Sequence, residues 1–175
     1  KILLSPAKAM DMSKTLKSTL TSSPVFLSEA ESLIGKLKKL SSKKIGEMMH
    51  LSKDLSDLNH QRYQEWTVST ELNGNNIQVS AGFDGEVYRG LDTPSMNAKE
   101  LEIAQDKVRI LSGVYGVLKP LDVIYPYRLE MGTKWAVTPS KKNLYQFWGK
   151  KIAEELNSEN EDGIIDNLAS AEYFK

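Results

Sequence analysis

The stretch Val108-Arg-Ile-Leu-Ser-Gly113-Val-Tyr-Gly116-Val-Leu-Lys-Pro-Leu-Asp122 decides how the chain is read. Just upstream, Asn97 and Glu100 signal a helix start, and Leu101, Ala104, Val108 and Leu111 recur at helical spacing. On that spacing a helix runs into the stretch and stops at Gly113. Gly116 closes a turn, and a second apolar segment follows, with Pro120 keeping another helix from starting early. Residues 112–140 hold three Gly and three Pro, so this region is expected to be rich in loops.

Toward the amino end, Ile2-Leu3-Leu4 reads as a short buried strand ended by Ser5-Pro6, and residues 9–25 as a polar loop. Ser28-Glu-Ala-Glu31 has the form of a capping box, after which Ala30, Leu33, Ile34, Leu37 and Leu40 share one helix face. Ile45, Met48 and Met49 predict a second helix; Leu51, Leu55 and Leu58, continuing to Arg62 and Trp66, predict a third. Asn73-Gly74-Asn75-Asn76 is a turn signal before Ile77-Gln-Val-Ser-Ala81, which alternates at period two like a strand. Toward the carboxyl end, Leu144, Phe147, Trp148, Ile152 and Leu156 predict one helix. Residues 159–162 read as a solvated turn and Ile164-Ile165 as a strand. Ser170 with Glu172 resembles a helix start, and Lys1 opens inside an apolar run, so segments beyond both ends are expected.

Helices and strands intermix without a regular β-α-β rhythm. The expected class is therefore α/β (α+β): one domain over residues 1–175, a mixed sheet packed by helices. Ile2–Leu4, Ile77–Ala81 and Ile164-Ile165 are expected in one sheet, with Leu33, Leu37, Leu101, Phe147 and Trp148 against it.

The composition narrows the chemistry. At 175 residues, with 40% hydrophobic and 26% charged residues, the chain can bury a substantial core. Zero Cys excludes disulfides, thiolate metal sites and cysteine nucleophiles. No apolar run approaches the roughly 18 residues that cross a bilayer, so no membrane partner is expected. The 23 basic and 23 acidic side chains cancel, which counts against a dedicated nucleic-acid binder.

Glu47-Met-Met-His50 and Asp57-Leu-Asn-His60 place a carboxylate and an imidazole three residues apart, a spacing used by carboxylate-bridged iron sites. Such sites need further inward carboxylates that the helical pattern does not supply, so neither a metal site nor a cofactor is expected. No Gly-x-Ser-x-Gly elbow, Walker loop or dinucleotide fingerprint occurs. The run Lys36-Leu-Lys-Lys-Leu-Ser-Ser-Lys-Lys44 reads as solvated helix faces flanking an apolar stripe. The 108–122 stretch carries more. Two Gly at a turn after an apolar helix have the layout of a helix-hairpin-helix element, whose bare backbone N–H groups approach a phosphate. The spacing is Gly-x-x-Gly where the usual hairpin has Gly-x-Gly, and an ordinary helix-capping turn fits the same residues.

Six blocks then show a family resemblance. They are Lys1-Ile-Leu-Leu-Ser-Pro-Ala-Lys8, Gly85-Glu-Val-Tyr88, residues 111–122, Tyr125-Pro-Tyr-Arg-Leu-Glu-Met-Gly132, Leu144-Tyr-Gln-Phe-Trp-Gly149 and Asn167-Leu-Ala-Ser-Ala-Glu-Tyr-Phe174. In this order they resemble the YaaA family of bacterial peroxide-stress proteins. The resemblance implies a cytoplasmic protein that limits iron-dependent oxidative damage, with a helix-hairpin-helix-like element and a basic cleft for double-stranded or structured DNA. It places that element at Gly113, Tyr115 and Gly116 and makes Lys8, Arg109, Lys119 and Arg128 the candidate phosphate contacts. Members continue beyond the last block, which agrees with the expected missing carboxyl-terminal part.

Three functions compete. The first is sequence-independent DNA binding without catalysis. The second is an enzyme acting on a phosphorylated or nucleobase-containing substrate, for which Ser5, Lys8, Asp122, Tyr127, Arg128 and Glu130 are the polar candidates. The third, iron sequestration, has the fewest residues behind it.

Overall fold

The computed structural model describes residues 1–160 and 163–174. The fold is α/β, built on a four-stranded mixed sheet of order β6-β5-β1-β8. Here β1 is Ile2–Leu4, β5 Val108–Ser112, β6 Gly116–Leu118 and β8 Asp166–Asn167. Strand β1 lies parallel to β5 and β8, with Ile2 opposite both Val108 and Asp166, and β6 runs antiparallel to β5. Two small antiparallel pairs complete the strands: β2 (Ala9–Met10) with β4 (Phe83–Asp84), and β3 (Ile77–Gln78) with β7 (Val123–Ile124).

The helix expected to run through Val108 and Leu111 ends earlier. Helix α6 (Ala98–Lys107) begins at a capping box of Asn97 and Glu100 and buries Leu101 and Ala104. At Val108 the chain extends, and all five residues of β5 are buried. A strand covered on both faces is a continuous apolar run, and periodicity alone does not separate it from a buried helix. The helix-hairpin-helix element is thereby corrected: residues 108–118 form a β-hairpin, with Ser112 opposite Gly116.

Other elements depart from the sequence reading for local reasons. Helix α1 (Leu27–Leu37) buries Ala30, Leu33, Ile34 and Leu37 as expected, but its N-cap is Phe26 without a side-chain cap, so the Ser28 box is not used. Each of those four apolar side chains is worth about 1.5–3 kcal/mol when fully buried, except the smaller alanine. Helices α2 (Ser42–Met49) and α3 (Lys53–Glu65) pack as a pair, with Gly46 so near Ser56 that a Cβ would sit 2.3 Å from its hydroxyl. Accordingly α3 buries Ser56, Asn59 and Tyr63 and leaves Leu55 and Leu58 exposed, the reverse of the expected face.

Ile77–Ala81 is a strand only to Gln78; Val79–Gly82 makes one helical turn, α4, and β3 lies outside the main sheet. Glu86–Leu91 forms α5. The single late helix is two, α7 (Leu144–Trp148) and α8 (Lys151–Ser158), parted at Gly149 with φ +53°. The last strand falls at Asp166–Asn167, not Ile164-Ile165. The expected turn at 159–162 and the helix start after Ser170 lie partly outside the described residues, at 161, 162 and 175. Leu33, Leu37, Leu101 and Trp148 are buried and Phe147 partly so, all packed in one core region except Leu101.

Candidate functional site

The parallel strands give the sheet two chemically different ends. At the amino ends of β1 and β5, Arg109 is 3% exposed and is held through Nε and Nη1. Its Nε donates to Glu159 Oε2 at 2.7 Å, and its Nη1 donates to the carbonyls of Gln105 and Val108 at 2.9 and 2.7 Å. Lys119 Nζ reaches the other Glu159 oxygen at 2.5 Å. Burial would raise the Glu159 carboxyl, but hydrogen bonds from Lys119 and Arg109 hold it below its ordinary range. Asp122, 2% exposed, is pushed up by burial even though Ser22 Oγ and the Lys119 N–H donate to it at 2.6 and 2.8 Å. Glu159 thus holds both cations, which border a polar cleft of about 410 Å³ together with Lys1, Lys107 and Asp106.

The turn glycines do not face outward. A Cβ on Gly113 would lie 2.2 Å from the Leu129 carbonyl oxygen. Gly116 has φ +71°, and a Cβ there would meet the Trp148 and Phe26 rings at 2.8–2.9 Å. Tyr115 is 1% exposed; its hydroxyl accepts from Trp66 Nε1 at 2.8 Å and the Tyr125 N–H at 3.2 Å. Bare backbone is required at these positions because other parts of this protein approach it.

That approach builds a site at the opposite end. Segment 127–130 is drawn against the β5–β6 turn by Gly113, by the 2.5 Å bond between the Ser112 and Tyr127 hydroxyls, and by Tyr63, whose hydroxyl donates to the Arg128 carbonyl. The residues after β1 run alongside, held by the Tyr88 hydroxyl donating to the Ser5 carbonyl at 2.7 Å. Gly85 is 3.3 Å, by its absent Cβ, from Ala7. After β8 the Ser170 N–H donates to Ser5 Oγ at 2.9 Å, and Glu172 Oε1 accepts from the Gly132 N–H at 2.8 Å.

The result is a pocket of about 170 Å³ lined by Ser5, Lys8, Tyr127, Arg128, Glu130 and Ser170, with Glu172 and Tyr173 behind. It lies beyond the carboxyl ends of the parallel strands, where open α/β sheets commonly bind ligands. Arg128 Nη2 and Lys8 Nζ stand 3.4 and 3.5 Å from the same oxygen, Glu130 Oε1. The Arg128 side chain is 21% exposed, and among the described residues this long contact is the only hydrogen bond from its guanidinium. Most of a half-buried fork of five donors is thus open to a ligand. Burial pushes the Tyr127 and Tyr173 hydroxyls far up, so both keep their protons.

Of the seven residues expected at the phosphate site, Lys8 and Arg128 meet here, while Arg109 and Lys119 meet at the other end. Gly113 acts on the pocket indirectly, and Tyr115 and Gly116 are core. Of the polar set considered for an enzyme, all but Asp122 come together. Ser112, Ser170, Glu172 and Tyr173 were missed as site residues; the last three lie in the final family-like block. Among the described residues, no three His, Asp or Glu side chains gather to hold a metal ion. His50 caps α2 at φ 54°, and Asp57 pairs with Lys53 at 2.6 Å. No helix among them is long and apolar enough to cross a membrane.

Comparison with known proteins agrees with the blocks. The profile of a family described as peroxide stress protein YaaA matches residues 1–175. A protein of Dechloromonas aromatica (strain RCB) is 45% identical over 177 residues, 99% of this chain and 68% of its own length. One from Ralstonia pickettii (strain 12J) is 46% identical over 178 residues, with the same shares. One from Bordetella avium (strain 197N) is 47% identical over 176, again 99% and 68%. All three bear only the name UPF0246 protein.

Proposed function

The chain belongs to the peroxide stress protein YaaA family, and on that footing we propose that it limits iron-dependent oxidative damage in the cytoplasm by binding DNA through phosphates. Base identity is not read. The observation that carries this reading is the meeting of Lys8 and Arg128, from separate segments, at one pocket where Arg128 has donors to spare. An arginine fork grips phosphate oxygens in pairs, and a lysine adds a mobile point charge. The reading differs from the sequence expectation in its contacts: the hairpin at 113–116 positions the pocket and does not touch DNA.

Fluorescence anisotropy on two unrelated duplexes across a salt series tests it. With about two to three phosphates engaged, log affinity falls against log salt with a slope of roughly −2 to −3. Arg128→Ala weakens both duplexes about equally and lowers that slope by about one. Absence of binding to either duplex at low salt overturns the reading. An enzymatic function on a phosphorylated or nucleobase-containing substrate is favoured by one observation, the gathering of Ser5, Tyr127 and Glu130 beside the two cations. It moves ahead if duplex binding fails.

A further inference from the structure

We propose that this pocket receives a terminal phosphate monoester, a phosphate joined to carbon on one side only, as at a broken strand end or on a mononucleotide. The proposal rests on the phosphate-binding reading above and specifies which phosphate is bound.

Size is the first argument. At about 170 Å³ the pocket is smaller than the roughly 300–1,000 Å³ usual for whole small molecules, so it admits one group. A phosphate within a continuous strand carries sugars on two sides and meets Lys8 and Arg128 only at the mouth, bounded by segments 5–8, 127–130 and 170–173. A monoester has one chain to lead out.

Donors are the second. A monoester offers three strongly accepting oxygens and a charge of about −1.5 to −2. Arg128 supplies paired N–H groups and Lys8 a further cation. Ser5 Oγ donates to Ser170 Oγ at 3.3 Å, which leaves the Ser170 hydroxyl its own proton to donate. Two carboxylates line the pocket against an anion: Glu172, whose Oε1 is turned to the Gly132 N–H at 2.8 Å, and Glu130, which faces the cations. Glu130 holds both cations, but at 3.4 and 3.5 Å, well beyond the roughly 2.7–2.9 Å of a tight charge-assisted bond. Glu130 is therefore a weak internal stand-in for the ligand, keeping the cations in place and yielding them to a stronger anion.

The test compares three labelled duplexes of one sequence by anisotropy: intact, gapped by one nucleotide with a 5′-phosphate, and gapped with a 5′-hydroxyl. Thymidine 5′-monophosphate, thymidine and inorganic phosphate serve as competitors, and direct binding of the monophosphate is followed by thermal shift. The phosphorylated gap is expected to bind about tenfold tighter than the hydroxyl gap, the gain of one paired ionic contact. Arg128→Ala removes that difference. Glu130→Gln, which deletes the competing charge while keeping the shape, enlarges it. Both variants are checked for an unchanged thermal midpoint, and Lys8→Ala, at an exposed position, substitutes if Arg128→Ala unfolds.

Equal binding of all three duplexes overturns this proposal and leaves the general DNA reading standing. Binding of thymidine 5′-monophosphate, abolished by Arg128→Ala, with no duplex bound, supports the monoester site and removes the DNA reading. A monophosphate that neither binds nor competes, with no preference between gaps, overturns the monoester site. A smaller preference in Glu130→Gln than in the parent contradicts the stand-in role and overturns it too.

Discussion

At Gly113 the missing Cβ is demanded by a backbone oxygen, that of Leu129, at 2.2 Å from where it would stand. A backbone neighbour cannot swing aside as a side chain does, so Gly113→Ala should cost about 1–3 kcal/mol in urea unfolding. Because Leu129 adjoins Arg128 and Glu130, the same variant should loosen phosphate binding while its far-UV spectrum stays unchanged. Tyr115→Phe removes a single oxygen that accepts from both Trp66 and Tyr125. Each buried donor left unpaired costs about 1–3 kcal/mol, and equilibrium denaturation should show a loss in or above that range. The need for glycine at 113 and 116 was legible in the sequence; the reason was not. A Cβ is excluded alike by a ligand's oxygen and by a carbonyl sixteen residues further along the same chain, and sequence spacing does not distinguish the two.

Between elements, Glu159 ties the end of α8 to β5 and to Lys119 after β6. Glu159→Gln leaves Arg109 buried without its anion, and about 2–3 kcal/mol should be lost, less than for a fully buried pair because Glu159 is partly exposed. The acid limb separates this effect from others. The Glu159 carboxyl is held below its ordinary 4.5, so its contribution is present above that pH and is lost as pH falls beneath it. Asp122 has the opposite sign: its raised carboxyl favours the fold when protonated, and that support fades as pH rises through the raised value. The stability difference between the parent and Glu159→Gln should therefore shrink below pH 4.5, as thermal melts across pH would show. Element type was legible where periodicity held, as at α1, and where a cap marked the start, as at α6. At α3 the helix was legible but its buried face was not, because Gly46 admits a face of Ser56, Asn59 and Tyr63 closer than leucines allow. Leu58→Lys on the outer side should accordingly shift stability by no more than about 0.5 kcal/mol.

Across the whole molecule, the class of the fold was readable from mixed helical and strand signals, but pairing was not, since a three-residue apolar strand carries no address. Strand β1 lies between β5 and β8, and Leu3 within it is fully buried. Leu3→Ala should cost about 2–5 kcal/mol. Stopped-flow fluorescence of Trp66 and Trp148 should find that cost mainly as faster unfolding, because contacts this distant in sequence form late. The central position of β1 also bears on synthesis. The strand leaves the ribosome well before its partners, which lie more than a hundred residues behind it. At about 5–20 residues per second, Ile2-Leu3-Leu4 waits several seconds, apolar and unpaired, while α1 to α6 are made. During that interval the nascent chain is a client for any factor that shields short hydrophobic segments, and translation speed before Val108 becomes a determinant of yield.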